Sequence, residues 1–174
     1  NPEIKFGIVD VDWVAADNVA GIMFKADQGA FLAGYVSAAT TQTGKIGTYG
    51  GVPLPSVTAF MDGFYMGAMY YNEVKGTSVE VIGWDPATPE EGLFTNTFES
   101  LEDARNLSIT MIDEGVDIIL GVGGPIGLGS GAAAQERGDV WIIGVDSDWS
   151  QTSPEYADVI LTSILKKVDV GVFN

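Results

Sequence analysis

The segment VDIILGVGG, residues 116–124, decides the fold class of this sequence. Apart from Asp117 and Gly121, every residue from 116 to 122 is aliphatic, and no helical period runs through them. Such a run is typical of a strand with both faces buried in a parallel sheet. A segment of small residues follows at 127–137, and its length suits a short helix. We therefore predict a strand, a glycine turn and a helix, which together are the repeating unit of an α/β protein.

The same unit recurs on either side of this segment. We predict further strands at 45–49, 78–84, 140–145 and 159–165, and further helices at 57–72 and 100–114. Ser56 is a candidate N-cap of the first of these helices. Ser100, with Asp103 three residues later, resembles a capping box for the second, and Gly115 would end that helix. The alternation predicts a doubly wound parallel sheet with helices on its faces.

The predicted elements divide into unequal parts. Residues 44–160 contain enough strands and helices for one near-complete α/β lobe. Residues 1–43 hold two strands, at 4–10 and 19–24, and a helix at 29–41, which are too few to close a core alone. We predict that they are the end of a first lobe and that residues 161–174 cross back toward it. The chain is thus expected to be a fragment, one near-complete lobe plus part of a second.

The composition excludes several classes of function. Of the 174 residues, 24 are acidic and 8 are Lys or Arg, which gives a net charge of -16. This charge would repel a phosphate backbone, so nucleic acid is not an expected partner. The sequence has no histidine and no cysteine, which removes imidazole proton shuttles, thiolate nucleophiles and thiolate zinc sites. No apolar run approaches the roughly 20 residues of a membrane-spanning helix.

Ligands of open parallel sheets collect at the carboxyl ends of the strands, where this sequence has several candidate residues. Gly123 and Gly124 either permit a tight turn or let a ligand reach backbone N–H groups. Asp146 and Asp148 could form a metal or acid–base pair, cap the next segment, or accept the hydroxyls of a sugar. Lys166, just after the last strand, is either an exposed lysine or the partner of such a carboxylate.

Aromatic residues are a second kind of candidate. Phe94 and Phe98 lie in the loop before the 100–114 helix. They either anchor the loop on the lobe or offer a ring face on which a planar base stacks. Trp84 and Trp149 are open to the same two interpretations, and packing in the core or at the rim is favoured for both.

One glycine pattern matches a cofactor motif in form. GLGSGA at 127–132 fits the dinucleotide fingerprint G-x-G-x-x-A, and Asp146 lies about 20 residues further on. The fingerprint should follow directly on the first strand of the fold, whereas Gly127 comes five residues after Val122 and in the third unit. The Gly-Lys-Ser/Thr ending of a phosphate loop is also absent. A dinucleotide site is therefore disfavoured.

Several runs of the sequence resemble a known family. They are NVAGIMF at 18–24, TGKIG at 43–47, FMDGF at 60–64, GVDII at 115–119 and GVDSD at 144–148, with Thr162, Ser163 and Lys166 near the end. In these runs the chain is similar to the basic membrane protein (BMP) family of ABC transporter substrate-binding lipoproteins, which includes the bacterial purine nucleoside receptors. The members are longer, and this chain resembles their middle portion.

The resemblance implies a periplasmic-binding-protein-like fold whose two lobes close on a purine nucleoside or related small molecule. It also implies a location in the periplasm or at the outer face of the cell membrane, with a lipid anchor, an ABC permease as partner and a monomeric state. It implies no reaction, no metal and no cofactor.

The resemblance also assigns roles to residues by position. Phe98 matches the aromatic residue that stacks on the base, with Phe94 as the fallback. Asp146 matches the acid that holds the ribose hydroxyls, and Lys166 matches the lysine that pairs with this acid. Gly123 and Gly124 match the loop that approaches the sugar.

Two departures from the family pattern concern the ligand. Residues 123–127 read GGPIG where many members have AGGTG, and Trp149 stands where Gln is common. These differences leave the identity of the ligand open more than its class. Two alternatives remain: a dinucleotide-binding oxidoreductase domain and the effector-binding domain of a transcription regulator.

Overall fold

The computed structural model describes residues 3–173. Within this range the chain forms seven β-strands and six α-helices. The strands are β1 (Phe6–Val9), β2 (Val19–Ile22), β3 (Lys45–Gly50), β4 (Glu80–Ile82), β5 (Ile118–Val122), β6 (Trp141–Asp146) and β7 (Ile160–Leu165). The helices are α1 (Ala26–Thr40), α2 (Pro55–Lys75), α3 (Leu101–Asp113), α4 (Gly127–Arg137), α5 (Trp149–Thr152) and α6 (Val168–Phe173).

Five strands form one parallel sheet in the order β4-β3-β5-β6-β7. β5 is at its centre, and all five of its residues are buried, as expected for a strand covered on both faces. α1 packs with α2, and α3 packs with α4. β1 and β2 pair in parallel as a separate two-stranded sheet. The predicted α/β fold with parallel sheets is confirmed.

Asp117 explains the acidic residue at the start of the central apolar run. Its side chain is buried and accepts hydrogen bonds from the Thr41 hydroxyl at 2.6 Å and from the backbone N–H groups of Gln42 at 2.6 Å and Thr43 at 3.1 Å. The carboxylate thus satisfies the donors of the turn between α1 and β3. It fixes the end of α1 to the central strand, because the buried carboxylate of Asp117 needs hydrogen-bond donors and this turn supplies three of them.

Helix α1 packs against α2 and also contacts β7 of the five-stranded sheet, although we expect residues 1–43 to belong to the first lobe. Glycines make the close contact between α1 and α2 possible. A side chain at Gly34 would overlap the carbonyl oxygen of Phe64, and one at Gly67 would overlap that of Phe31. The two helix backbones can come this close only where no Cβ intervenes. The layer of helices on this sheet therefore begins at Ala26, ahead of the predicted boundary at 43.

The other predicted boundary, at 160, also differs from the structure. β7 pairs with β6 along Ile160–Leu165 and is the edge strand of the five-stranded sheet. The chain leaves this sheet only after Leu165, and α6 follows from Val168.

Of the two predicted helix N-caps, one is confirmed and one is wrong. The Ser100 side chain accepts a hydrogen bond from the Asp103 N–H at 3.1 Å, so Ser100 caps α3 as predicted. Ser56 does not cap α2. The helix begins at Pro55 with Leu54 as its N-cap, because the fixed φ of proline suits the first helical position.

Candidate ligand-binding site

The carboxyl edge of the five-stranded sheet carries a cavity of about 200 Å³. The sheet order reverses between β3 and β5, and residues following both strands line the cavity. This is the usual ligand position in an open parallel sheet. The lining residues are Asp10, Ser56, Val57, Phe60, Phe98, Val122, Gly123, Gly124, Pro125, Val145, Asp146 and Lys166.

The five site residues predicted from the sequence all lie in this wall. They are Phe98, Gly123, Gly124, Asp146 and Lys166. They come from the loop before α3, the turn after β5, the end of β6 and the residue after β7. The parallel strands bring them together because every strand ends at the same edge of the sheet.

Phe94, the fallback for base stacking, lies elsewhere. Its ring packs edge-on against Trp84, with 6.0 Å between the ring centroids, and its backbone bridges to Gly50. Trp84 is buried, and its Nε1 donates a hydrogen bond to Oδ1 of Asp62 at 2.9 Å. Phe94 and Trp84 thus anchor the loop on the lobe, while Phe98 borders the cavity.

Backbone that passes close to the Phe98 ring holds this aromatic residue in place. A side chain at Gly51 or at Gly123 would overlap the ring. Gly123 has φ 149° and Gly124 has φ 61°, values that residues with a side chain rarely adopt. The turn after β5 therefore needs glycine for its conformation, and the missing side chains also leave space beside Phe98.

Lys166 forms ion pairs with both carboxylates of the site. Its Nζ lies 2.7 Å from Asp10 Oδ2 and 2.9 Å from Asp146 Oδ1, and its side chain is only 8% exposed. The Lys166 N–H donates to the Asp146 carbonyl at 2.9 Å, so pairing of β6 with β7 sets its position. Nζ also lies 5.5 Å from the ring centroid of Phe60 and 5.9 Å from that of Phe24, within the range of cation–π attraction.

The surroundings keep Lys166 charged. Burial alone would lower the pKa of Lys166, but hydrogen bonds to Asp10 and Asp146 and the charges of both carboxylates outweigh it. The pKa of Lys166 therefore lies above its ordinary value. One ammonium between two carboxylates leaves this cluster with one net negative charge when all three groups are ionised.

Asp146 presents part of its carboxylate to the cavity. Its Oδ1 is buried and accepts no hydrogen bond of ordinary geometry within residues 3–173; its contact is with the Lys166 ammonium. The side chain as a whole is 42% exposed, so the exposed area is on the side of Oδ2. The backbone of Asp146 has φ 66°, in the left-handed region that residues other than glycine seldom adopt, although Asp tolerates it better than most.

Three polar or aromatic residues of the cavity wall are not among the predicted site residues, namely Asp10, Ser56 and Phe60. Asp10 directly follows β1 and has positive φ, like Asp146 at the end of β6, so the same rule of acids at strand ends could have found it. Ser56 and Phe60 lie one turn apart on α2. Ser56 borders the cavity, and its side chain makes no hydrogen bond with the part of the chain that the structure describes. Only the correct start of α2, at Pro55, would have placed it there.

Asp148 does not form a pair with Asp146. Its carboxylate caps α5, accepting hydrogen bonds from the Ser150 N–H at 3.0 Å, the Ser150 hydroxyl at 2.7 Å and the Gln151 amide at 2.8 Å. These bonds lower the pKa of Asp148. Trp149 is buried, and its Nε1 donates to the carbonyl of Val145 at 3.0 Å.

The glycines of the dinucleotide-like pattern have a packing role. They lie inside α4 rather than in a turn between strand and helix. Side chains at Gly127, Gly129 and Gly131 would overlap Trp149, the backbone of Leu101 and the ring of Tyr156, respectively. The structure therefore offers no support for the dinucleotide alternative.

Two kinds of feature are absent from the described residues. Between residues 3 and 173, no helix combines the length and the apolar character needed to cross a bilayer. The same part of the chain holds no group of three or more acidic residues arranged to bind a metal ion.

Two parallel sheets that meet at a polar cavity, with lining residues from both, define a periplasmic-binding-protein-like lobe together with part of a second one. The family model Bmp, described as "ABC transporter substrate-binding protein PnrA-like", matches residues 1–173. The chain belongs to this family.

Individual relatives agree with this assignment. The chain is 36% identical to basic membrane protein B of Borreliella afzelii, over 99% of this chain and 48% of that protein. The crystal structure of an ABC transporter solute-binding protein from Aeropyrum pernix K1 matches 99% of this chain and 47% of that one, with a TM-score of 0.82 and 28% identity. The chain thus spans about half the length of these relatives.

A regulator shares the fold as well. The crystal structure of a transcriptional activator of the comK gene from Bacillus halodurans matches 99% of this chain and 53% of that one, with a TM-score of 0.76 and 22% identity. At this identity the likeness concerns the fold alone.

Proposed function

We propose that the intact protein is an extracytoplasmic solute-binding component of an ABC transporter and that it binds a purine nucleoside or a related small molecule. One observation carries the proposal: an aromatic ring, a partly exposed carboxylate and a glycine turn line one cavity at the carboxyl edge of the sheet. Each of these groups suits one part of a nucleoside.

The role proposed for each group follows from its chemistry. Phe98 offers a ring face to the base, since stacking requires only a π surface. The exposed side of Asp146 accepts hydrogen bonds from two neighbouring ribose hydroxyls, because an ionised carboxylate is an acceptor only. Lys166 acts mainly through Asp10 and Asp146, since its ammonium already contacts both. The turn at Gly123 and Gly124 leaves space for the sugar.

The charge of the site favours an uncharged ligand. Among residues 3–173, Lys166 is the only basic residue in the cavity wall, and two carboxylates face it. A phosphate group would meet this cluster without a free cation to neutralise it, so we expect nucleosides to bind and nucleotides to be rejected.

The remaining expectations come from the family. They are a location outside the cytoplasm, a lipid anchor, an ABC permease as membrane partner, a monomeric state and no catalysed reaction. The match to a family of ABC transporter substrate-binding proteins supports the location and the permease partner; the lipid anchor, the monomeric state and the absence of a reaction come from the family resemblance alone.

Calorimetry on the intact protein tests the proposal directly. Adenosine, guanosine, inosine, free ribose and NADH would be titrated in turn, and mass spectrometry would identify any ligand that co-purifies. We expect heat of binding with at least one purine nucleoside and none with NADH. Binding of none of the nucleosides by ligand-free protein would contradict the proposal, and tight binding of NADH would favour the oxidoreductase alternative.

A further inference from the structure

A second cavity continues the first one along the edge of the sheet. It has a volume of about 250 Å³, and it shares Gly124, Pro125, Val145 and Asp146 with the first cavity. Beyond these residues its wall is formed by side chains from α4 and from the segment after β6, among them Leu128 and Trp149. Phe98 lines the first cavity and not the second. Along the edge, the order is therefore the Phe98 ring, then Asp146, then the second cavity.

The wall of the second cavity is rigid. Trp149 is 5% exposed, and its Nε1 donates to the Val145 carbonyl at 3.0 Å. Its backbone N–H donates to the Ser163 hydroxyl at 3.1 Å. The ring leaves no space for side chains at Gly127 and Gly144. A group that enters the cavity thus meets a surface that is already formed, which reduces the entropy lost on binding.

The chemistry of the second wall disfavours negative charge on a bound group. Leu128, Val145, Pro125 and Trp149 provide apolar surface, and two serines add hydroxyls. The charged residue in this wall is Asp146, which is negative when ionised and would repel an anion. An uncharged, partly apolar group fits these surroundings, and a phosphate does not.

We infer that the second cavity binds an uncharged substituent on the sugar of the nucleoside, so that the ligands include nucleosides with a small apolar group at the 5′ carbon. This inference rests on the proposed function, because it needs the base at Phe98 and the ribose at Asp146. A substituent on the far side of the ribose from the base then extends past Asp146 into the second cavity.

Three purine compounds with different 5′ groups test the inference by calorimetry on the intact protein. They are adenosine, 5′-deoxy-5′-methylthioadenosine and adenosine 5′-monophosphate. We expect the methylthio compound to bind roughly tenfold more tightly than adenosine, because each buried methylene-sized group contributes about fourfold. We expect the monophosphate to bind at least about tenfold more weakly than adenosine, because two carboxylates repel it.

The outcomes separate the inference from the proposed function. If adenosine binds and the methylthio compound binds equally or more weakly, the second cavity does not take the 5′ substituent and the inference is wrong. If the monophosphate binds as tightly as adenosine, the second cavity does not exclude a negatively charged group, and that part of the inference is wrong. If none of the three binds to ligand-free protein, the proposed function fails first.

A variant of Leu128 tests whether the higher affinity for the methylthio compound arises in the second cavity. Leu128→Trp should fill part of the second cavity and reduce the advantage of the methylthio compound to about threefold or less, while adenosine affinity changes little. Leu128→Met keeps the volume of the side chain and serves as the matched control, with both affinities retained. An undiminished advantage in a folded Leu128→Trp variant would overturn the inference.

Discussion

Replacement of Lys166 by methionine should destabilise the protein through the two acids that face it. The substitution keeps a long side chain but removes the ammonium that lies 2.7 Å from Asp10 and 2.9 Å from Asp146. Loss of one partner from a fully buried ion pair costs about 3–5 kcal/mol. The side chains of Asp10 and Asp146 are 25% and 42% exposed, respectively, so water screens part of the uncompensated charge. We therefore expect the free energy of unfolding to fall by about 2–3 kcal/mol.

Urea denaturation of the intact protein measures this loss, and the neighbouring lysine provides the control. Lys167 is exposed, and it makes no ion pair with the part of the chain that the structure describes. Lys167→Met should change the free energy of unfolding by no more than about 0.5 kcal/mol. Equal effects of the two substitutions would refute the idea that Lys166 links the acids of the two sheets.

The pH dependence gives a second check on the same contact. The pKa of Lys166 is raised above its ordinary value of 10.5, so its stabilising effect is complete below that pH and is lost as the pH rises through the raised pKa. The difference between the native protein and Lys166→Met should stay constant around neutral pH and narrow only above about pH 10.5. A difference that disappears near neutral pH would show that Lys166 titrates there, against this reasoning.

Three further predictions concern residues around the site and in the core. Phe98→Ala should weaken adenosine binding by about 1–3 kcal/mol, as for other base–aromatic contacts, whereas Phe94→Ala should chiefly lower the free energy of unfolding; calorimetry and urea denaturation would show the reverse pattern if the loop residues were misassigned. Asp117→Ala should lower the free energy of unfolding by about 1.5–3 kcal/mol because the turn between α1 and β3 loses its charged hydrogen-bond acceptor, and a loss below about 0.5 kcal/mol in urea denaturation would contradict the role given to this acid. Burial raises the pKa of Tyr49 to about 12, so spectrophotometric titration should detect no ionisation of this phenol near pH 10, and ionisation there would contradict its burial.

The regular part of the fold could be predicted because its signals are local. The buried run at 118–122 has the composition of a central strand, and the segment 127–137 was predicted as a helix with the bounds it has. The lobe to which α1 belongs was not predictable in the same way. The helical period of α1 shows an apolar face but not its partner, and the partner is fixed by glycine contacts with α2 that join distant positions.

The residues of the candidate site also differ in whether local sequence signals predict them. Asp146 and the glycine turn stand directly after strands, where the general rule for parallel sheets places ligands. Ser56 was interpreted as a helix cap, because the sequence offers both Pro55 and Ser56 near the start of α2 and only the structure shows that the helix begins at Pro55. The contact of Lys166 with Asp10 joins residues 156 positions apart, and no sequence period reports such a pair.

The most direct test of ligand binding is the affinity of the intact protein for adenosine before and after Asp146→Asn. We expect a loss of about 10- to 150-fold, equivalent to the 1.5–3 kcal/mol of hydrogen bonds to a charged group. Asp148→Asn, two residues further on and engaged in capping α5, should leave the affinity unchanged. Equal adenosine affinity in the native protein and a folded Asp146→Asn variant would contradict the account.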